Sequence, residues 1–223
     1  MSGSAPNEST LSVYDNVANV YDRGRTKWYK ELLKLVASRV NEPVLDAGCG
    51  TGYIACSLAQ LGATHVVCLD ISTGMLFSGK RRAQRLRLTA FIEFIQGSIE
   101  RLPFRDKVFR TTLATAVIHH LEKREARVDA LIELKRVSRG FVLVTVWSAL
   151  SPSNIARIIT SLSRDVKVRW GGKGERYYHL YTPMEFREDL RRAGYKRFKL
   201  YLWDYKPILF KRNIVVEYYA GDS

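Results

Sequence analysis

A glycine-rich turn preceded by an acidic residue is the part of the chain best suited to bind a ligand. A short apolar strand, Pro43–Asp46, leads into Gly48, Gly50 and Gly52. Glycine permits positive φ and close approach of the backbone, and the helix expected from about Tyr53 offers unpaired N–H groups. A carboxylate at Asp46 disfavours a phosphate in this turn. The turn therefore predicts a ligand that is neutral or cationic beside Asp46.

A second acidic residue, Asp70, ends the next apolar run, His65–Leu69. This is the spacing expected of a carboxylate that accepts hydrogen bonds from ribose hydroxyls at the end of the neighbouring strand. A dinucleotide-binding turn for NAD is the alternative. It is disfavoured because the third glycine comes too early for the G-x-G-x-x-G pattern, and no Walker lysine follows the turn.

The elements that must position these residues alternate between strand and helix. Helical stretches are expected to begin near Tyr53, Ser72, Leu121 and Pro183, and the third of them to end at Gly140. Strands are expected at Pro43–Asp46, His65–Asp70, Phe91–Gln96, Arg110–Ala116, Phe141–Trp147, Phe198–Trp203 and Ile214–Tyr219. A helical lead over about Ser12–Val40 precedes them. This order predicts an α/β fold, a doubly wound and mostly parallel sheet with helices on both faces.

The pattern D-x-G-x-G-x-G with a downstream acid resembles the S-adenosylmethionine (SAM) turn of class I methyltransferases. The resemblance implies a seven-stranded sheet whose last two strands pair antiparallel at one edge. It implies that Asp46 lies near the aminoacyl end of the cofactor and that Asp70 accepts from the ribose. Ser98 stands where the family usually has an acidic residue near the adenine. The implied cofactor contacts are completed by Ile71, Ile99 and Ala116.

Composition narrows the class of partner. The chain has 223 residues, enough for one α/β domain over 1–223, with 1–11 expected to be disordered. Its net charge of +14 favours a polyanionic partner such as nucleic acid or an anionic membrane surface. No apolar run is long enough to cross a membrane, and Met1–Glu8 lacks a signal-peptide core, which favours a cytoplasmic protein. Cys49, Cys56 and Cys68 lack C-x-x-C spacing, so neither a disulfide framework nor a metal site is indicated.

The segment 148–182 is too long for a simple connection in a compact domain. It leaves the carboxyl end of the fifth strand, where ligands bind in open α/β sheets, so we expect it to fold over the substrate. Its cations Arg164, Lys167, Arg169, Lys173 and Arg176 are interleaved with Trp170, Tyr177 and Tyr178. This mixture suits phosphate contacts and stacking on an unpaired base. A solvated loop with a few core aromatics is the alternative.

Two short stretches of sequence point to a more specific family within the methyltransferases. Val117–His120 reads V-I-H-H and Arg176–His179 reads R-Y-Y-H. These runs, and a strand ending at Trp147, resemble the tRNA wobble-uridine (uridine-34) carboxyl methyltransferases. That family includes the yeast-type enzymes and the methyltransferase domain of the AlkB-homologue tRNA enzyme. The resemblance implies methyl esterification of a 5-carboxymethyl-type uridine in the tRNA anticodon arm.

The implied reaction needs no general base, because a carboxylate is already ionised at neutral pH. Cationic residues then suffice to orient it, and the candidates are Arg25, His119 and His179. Substrate-binding candidates are Arg23, Trp147, Arg176, Tyr177 and Tyr178. One of His119 and His120 is equally well explained as a core residue. A small-molecule or lipid methyltransferase and a non-catalytic RNA-binding module stay open as alternatives.

The third expected strand, Phe91–Gln96, has apolar residues on both faces although it lies at a sheet edge in this fold. Phe91 and Ile95 share one face, and Ile92 and Phe94 share the other. Such an edge invites pairing with another chain. Relatives in the tRNA family are activated by a small zinc-containing methyltransferase activator, so the resemblance implies a similar subunit here. The alternative is that the helix near Ser72 and the helical lead cover the edge.

Overall fold

The computed structural model describes residues 14–15, 18, 21–22, 26–169, 175–204 and 212–220. The strands are β1 (Val44–Ala47), β2 (Val66–Asp70), β3 (Ile92–Gln96), β4 (Phe109–Thr115), β5 (Ser138–Trp147), β6 (Asp165–Arg169), β7 (Glu175–His179), β8 (Lys199–Trp203) and β9 (Asn213–Tyr219). Seven of them form one sheet in the order β3-β2-β1-β4-β5-β9-β8, with β9 antiparallel to both of its neighbours. The predicted doubly wound α/β fold is confirmed.

Six α-helices flank the strands within residues 26–204 as described: α1 (Thr26–Val36), α2 (Tyr53–Gln60), α3 (Thr73–Arg85), α4 (Arg124–Val137), α5 (Pro152–Ser161) and α6 (Pro183–Arg192). Three of them begin at hydroxyl side chains that accept a backbone N–H of the first turn, at Ser72, Ser151 and Thr182. Proline follows the last two caps at a position where its missing N–H costs nothing.

The core is divided between the two faces of the sheet because consecutive strand residues point to opposite sides. Phe141 of β5 packs with α1, α2 and α3, and its neighbour Val142 packs with α4 and α6. The central strands β1 and β5 are covered on both faces, so they read as nearly continuous apolar runs, whereas the edge strands β3 and β8 are partly exposed.

The third helical stretch differs from the prediction at both ends. A short 3₁₀ helix, Ile118–His120, precedes α4, and α4 ends at Val137 rather than at Gly140. Gly140 lies inside β5, where a Cβ atom would come within 2.3 Å of the Arg110 carbonyl oxygen. Glycine is needed here for close approach of two strands and does not cap the helix.

The segment 148–182 contains regular structure instead of a loop. It forms α5 and an antiparallel hairpin of β6 and β7, in which Asp165 pairs with His179 and Val168 with Arg176. Trp170 and Lys173 lie outside the described residues. Among the helices described, none is long and apolar enough to cross a membrane.

Candidate active site

A cleft opens at the carboxyl ends of β1, β2 and β4, where the strand order reverses and ligands bind in sheets of this type. It encloses about 770 Å³ of empty space, including part of its open mouth. Seven of the nine predicted cofactor contacts line it: Gly48, Gly50, Asp70, Ile71, Ser98, Ile99 and Ala116. The remaining two, Asp46 and Gly52, are not among the lining residues.

The three glycines of the turn all have positive φ, at +74° for Gly48, +54° for Gly50 and +63° for Gly52. At Gly48 a Cβ atom would lie 2.4 Å from Cγ2 of Val117, which forms the opposite wall. Both conformation and space therefore require glycine at this position. Gly52 caps α2 and touches Phe94 instead of the cleft.

Asp70 is held at the cleft by backbone amides. Its Oδ2 accepts from the Gly50 N–H at 2.8 Å, and its Oδ1 accepts from the Ser72 N–H at 2.9 Å. Burial raises the pKa of this carboxyl above its usual value, while the amide hydrogen bonds oppose that shift. The same carboxylate thus fixes the glycine turn and presents acceptor lone pairs to a diol.

Asp46 lies buried beside the turn, and neither of its carboxylate oxygens completes a hydrogen bond among the described residues. Burial and, secondarily, the charge of Asp70 raise the pKa of Asp46 to about 7, with the nearby Ala55 amide opposing the shift. A buried carboxylate without a hydrogen-bond partner fits a ligand with a positive charge close by. The sulfonium and ammonium groups of SAM supply such charge.

The opposite side of the cleft is largely apolar. Leu69, Ile99, Val117 and Leu121 contribute to its walls, and such a surface suits an adenine ring. Ser98 lines this region, and its Oγ accepts from the Glu100 N–H at 3.2 Å. With Asp70, the glycine turn and Asp46, these residues fit SAM.

Two tyrosines that were not predicted as site residues, Tyr14 and Tyr21, also line the cleft. Two acidic residues next to these tyrosines, Asp15 and Asp22, bind the rest of the domain through hydrogen bonds and an ion pair. Asp15 accepts from the Gly74 N–H at 2.9 Å and from the Ser72 hydroxyl, and Asp22 accepts from the Thr51 hydroxyl at 2.8 Å and pairs with Arg82. No local signal in the sequence marks their place in the cleft, because it depends on these contacts with residues distant in the chain.

The neighbouring histidines have different surroundings. His120 lines the cleft, and its Nδ1 lies 2.9 Å from the Tyr177 carbonyl oxygen, so Nδ1 carries a proton. His119 is fully buried and stacks against Trp147 and Tyr178, with ring centroids 5.8 and 5.4 Å away. The backbone N–H of Trp147 donates to Nδ1 of His119 at 3.3 Å.

Arg176 brings a buried cation next to the cleft wall. Its guanidinium carbon lies 5.3 Å from the Tyr14 ring, 5.8 Å from the Tyr21 ring and 5.7 Å from the Tyr178 ring. Trp147 stacks on Tyr178 at 4.4 Å. The hairpin, the N-terminal segment and the end of β5 therefore meet in one aromatic and cationic cluster.

His179 and Tyr177 point to the other side of the hairpin. Nδ1 of His179 lies 2.7 Å from Asp165 Oδ1 and Nε2 lies 2.9 Å from Glu185 Oε1. The Tyr177 hydroxyl donates to Asp165. Neither side chain lines the cleft. Arg23 and Arg25 lie outside the described residues, so their roles stay predictions.

Comparison with known proteins agrees with this geometry. A family model described as a methyltransferase domain matches residues 45–143. A protein of Encephalitozoon cuniculi whose name places it among methyltransferases is 31% identical over 159 residues, which is 69% of this chain and 70% of that protein. The chain belongs to the class I SAM-dependent methyltransferases. Its cofactor is SAM.

Two further relatives of this methyltransferase differ in substrate. The tRNA (carboxymethyluridine(34)-5-O)-methyltransferase of Arabidopsis thaliana is 30% identical over 73% of the chain, a match that spans 38% of the plant protein. The ubiquinone/menaquinone biosynthesis C-methyltransferase UbiE of Ruegeria sp. is 28% identical over 73% of the chain and 66% of that enzyme.

A solved structure extends the likeness over nearly the whole methyltransferase. The CcbJ methyltransferase from Streptomyces caelestis matches with a TM-score of 0.72, covering 95% of this chain and 98% of that one. Its sequence identity is 18%, so this likeness bears on the fold alone.

Proposed function

We propose that this methyltransferase esterifies a 5-carboxymethyl-type wobble uridine in the anticodon of cytoplasmic tRNA. The observation that carries the proposal is the cationic and aromatic cluster beside the cofactor cleft, formed by Arg176 and His120 with Tyr14, Tyr21 and Tyr178. The rings of Tyr14 and Tyr21, which line the cleft, can stack on an unpaired base, and the buried Arg176 guanidinium next to them attracts its carboxylate. The plant tRNA relative supports the same substrate class.

SAM supplies an electrophilic methyl group. With SAM held by Asp70 and the glycine turn, the uridine carboxylate would accept this methyl group, forming a C–O bond as the C–S bond breaks, and S-adenosylhomocysteine would be the other product. No proton moves, so this chain's residues need only orient the carboxylate and exclude water. His120 presents its ring to the cleft, and the buried guanidinium of Arg176 favours negative charge nearby.

The test uses tRNA from cells that lack this protein, incubated with the purified chain and SAM labelled in its methyl group. An ester releases the label as methanol in mild alkali. An alkali-stable label in tRNA would contradict esterification, and label found in small molecules but not in tRNA would contradict the tRNA substrate.

A small-molecule methyltransferase is the second candidate, because the UbiE relative is nearly as similar as the tRNA relative and the cleft walls are largely apolar. A C-methyltransferase acting on a quinone-type ring would leave an alkali-stable product. Incubating the chain with a lipid extract and, in parallel, with tRNA separates the two candidates directly.

We also propose that a small zinc-containing activator pairs with β3, which forms one edge of the sheet. Ile92 and Phe94 face inward: Ile92 is buried, and a Cβ atom at Gly79 would meet the Phe94 ring at 2.5 Å. Phe91 is 37% exposed and Ile95 is half-buried, so these two residues offer apolar surface on the outer face.

The activator proposal is tested by co-expression with the host's activator homologue. Phe91→Lys with Ile95→Lys should abolish co-purification, whereas Leu61→Lys, at a residue 67% exposed outside this edge, should not. Phe94→Lys is unsuitable because it would disrupt the packing on α3. Equal recovery of the activator with both variants would contradict strand pairing.

A further inference from the structure

Helix α3 and the turn after it carry a concentration of positive charge. Lys80, Arg81, Arg82, Arg85 and Arg87 fall within eight residues, and no acidic residue occurs between Asp70 and Glu93. The helix dipole favours cations in the last turn, which accounts for Arg82 and Arg85. It does not account for the remaining cations or for how they are arranged.

Among the three arginines of α3, one is paired inside the protein and two are not. Arg82 pairs with Asp22, donates to the Thr51 carbonyl oxygen at 2.7 Å and lies over the Tyr53 ring. Arg81 and Arg85 are exposed, and neither makes an ion pair within the described part of the chain. Arg82 therefore belongs to the fold, whereas Arg81 and Arg85 are available to a partner.

Arg81 and Arg85 line a polar groove together with Ser78, Thr51 and the Asp22–Arg82 pair. We call this surface the arginine groove. The guanidinium groups of Arg81 and Arg85 and the Ser78 hydroxyl are donors that suit phosphate oxygens. The Asp22 carboxylate is occupied by Arg82 and by the Thr51 hydroxyl, so it does not cancel the charge of the other two arginines.

An exposed aromatic ring lies at one side of the arginine groove. Phe77 is 62% exposed, and the Arg81 guanidinium lies 5.9 Å from its ring centroid. An exposed ring next to a cation is the arrangement that stacks an unpaired base while the cation binds the adjoining phosphate.

The arginine groove shares a wall with the cofactor cleft. Gly50 lines the cleft, and the next residue, Thr51, lines the groove. The first turn of α3 also borders the cleft through Met75. A single strand that places one nucleotide in the cleft can therefore extend its backbone along α3.

We propose that the arginine groove, with Phe77, binds the sugar-phosphate backbone of single-stranded RNA next to the modified nucleotide. The proposal rests on the proposed function only in taking tRNA as that RNA. The occupant is a nucleic acid rather than a membrane, because the groove is polar and Phe77 is the one aromatic residue of α3. Membrane binding is an outcome of the test.

The experiment measures binding of a fluorescein-labelled tRNA by the full chain at several salt concentrations. Arg81→Gln with Arg85→Gln should weaken binding about tenfold or more near physiological salt and reduce the slope of log K against log salt by about 1.5–2, as expected for two lost phosphate contacts. Phe77→Ala should weaken binding by about tenfold without changing the slope. SAM binding, measured by calorimetry, should stay unchanged in all variants.

The matched control is Lys196→Gln with Arg197→Gln. It removes the same charge from two exposed residues between α6 and β8, at the other edge of the sheet. Arg81→Lys with Arg85→Lys should restore most of the salt slope, because the charge is kept.

Equal losses in the groove variant and the control would overturn the proposal, since only net charge would then matter. So would groove-dependent binding to vesicles of phosphatidylcholine and phosphatidylserine with no groove-dependent binding to tRNA. If an ester forms on tRNA and the groove variant binds normally, the groove proposal fails and the proposed function stands. If the groove variant loses tRNA affinity and no ester forms, the groove proposal stands and the proposed function fails.

Discussion

Asp46 and Asp70 lie at or next to the carboxyl ends of the neighbouring strands β1 and β2, and both are buried acids, yet the protein gives them different hydrogen-bond partners. Asp70 accepts two backbone N–H groups, which oppose the rise of its pKa caused by burial. Asp46 has no completed hydrogen bond within the described residues, and its pKa rises to about 7. The fold therefore provides one carboxyl held by backbone amides and one whose charge depends on what binds near it.

Asp70→Ala should weaken SAM binding by about 1.5–3 kcal/mol, or roughly one to two decades in affinity, because charge-assisted hydrogen bonds to the ribose are lost. Part of the loss will come from the glycine turn, whose Gly50 N–H loses its acceptor. Calorimetric titration measures the change, with Asp129→Ala on the exposed side of α4 as control. Wild-type affinity in the Asp70 variant would contradict the assignment.

Asp46 makes the stability of the unliganded protein depend on pH. A carboxyl whose pKa is raised by folding stays protonated in the native state while the unfolded chain has lost its proton, so stability falls as pH rises between about 4 and 7. Between pH 5.5 and 8 the wild type should lose about 2 kcal/mol more stability than Asp46→Asn. Urea unfolding at both pH values measures this difference, and parallel changes in the two proteins would show that Asp46 titrates normally.

At the scale of elements, the hairpin of β6 and β7 is joined to α6 by a histidine between two carboxylates. His179 contacts Asp165 of β6 and Glu185 of α6, and Arg164 pairs with the same Glu185. Although burial alone would raise the pKa of Glu185, its hydrogen bond to His179 and the nearby arginines hold it below its usual value. This geometry favours a positioning role for His179 over contact with the substrate.

His179→Leu should leave the largely buried Glu185 carboxylate and the exposed Asp165 carboxylate without their shared partner, and destabilise the protein by about 1–3 kcal/mol. His179→Gln keeps one donor and should recover part of that loss. Thermal unfolding measures the stability, and methyl transfer at a temperature well below the transition measures function. A large fall in kcat for His179→Gln with unchanged stability would instead support the predicted catalytic role.

At the scale of the whole molecule, the net charge of +14 means that the excess lysines and arginines repel one another in the compact state. We expect the midpoint of thermal unfolding to rise as sodium chloride is increased from 50 to 300 mM, because salt screens this repulsion. Charge reversal at Lys196 and Arg197 to glutamate should stabilise the protein by a few tenths of a kcal/mol to about 1 kcal/mol at low salt. A midpoint insensitive to salt would mean that local ion pairs already balance the charge.

The sequence by itself determined the sheet, the glycine turn and seven of the residues that line the cleft, because these depend on local features. Positive φ at Gly48 and an acid at the end of β2 are properties of a few consecutive residues. Alternating strands and helices of ordinary length leave few topologies to consider.

Only the tertiary structure decided which neighbouring side chain faces the cleft. Consecutive residues of a 3₁₀ helix point about 120° apart, so His120 lines the cleft while His119 is buried. In β7 the period of two turns Arg176 and Tyr178 towards the aromatic cluster and Tyr177 and His179 towards Asp165. The R-Y-Y-H run carries no sign of this division, because the hairpin that imposes it depends on pairing with β6.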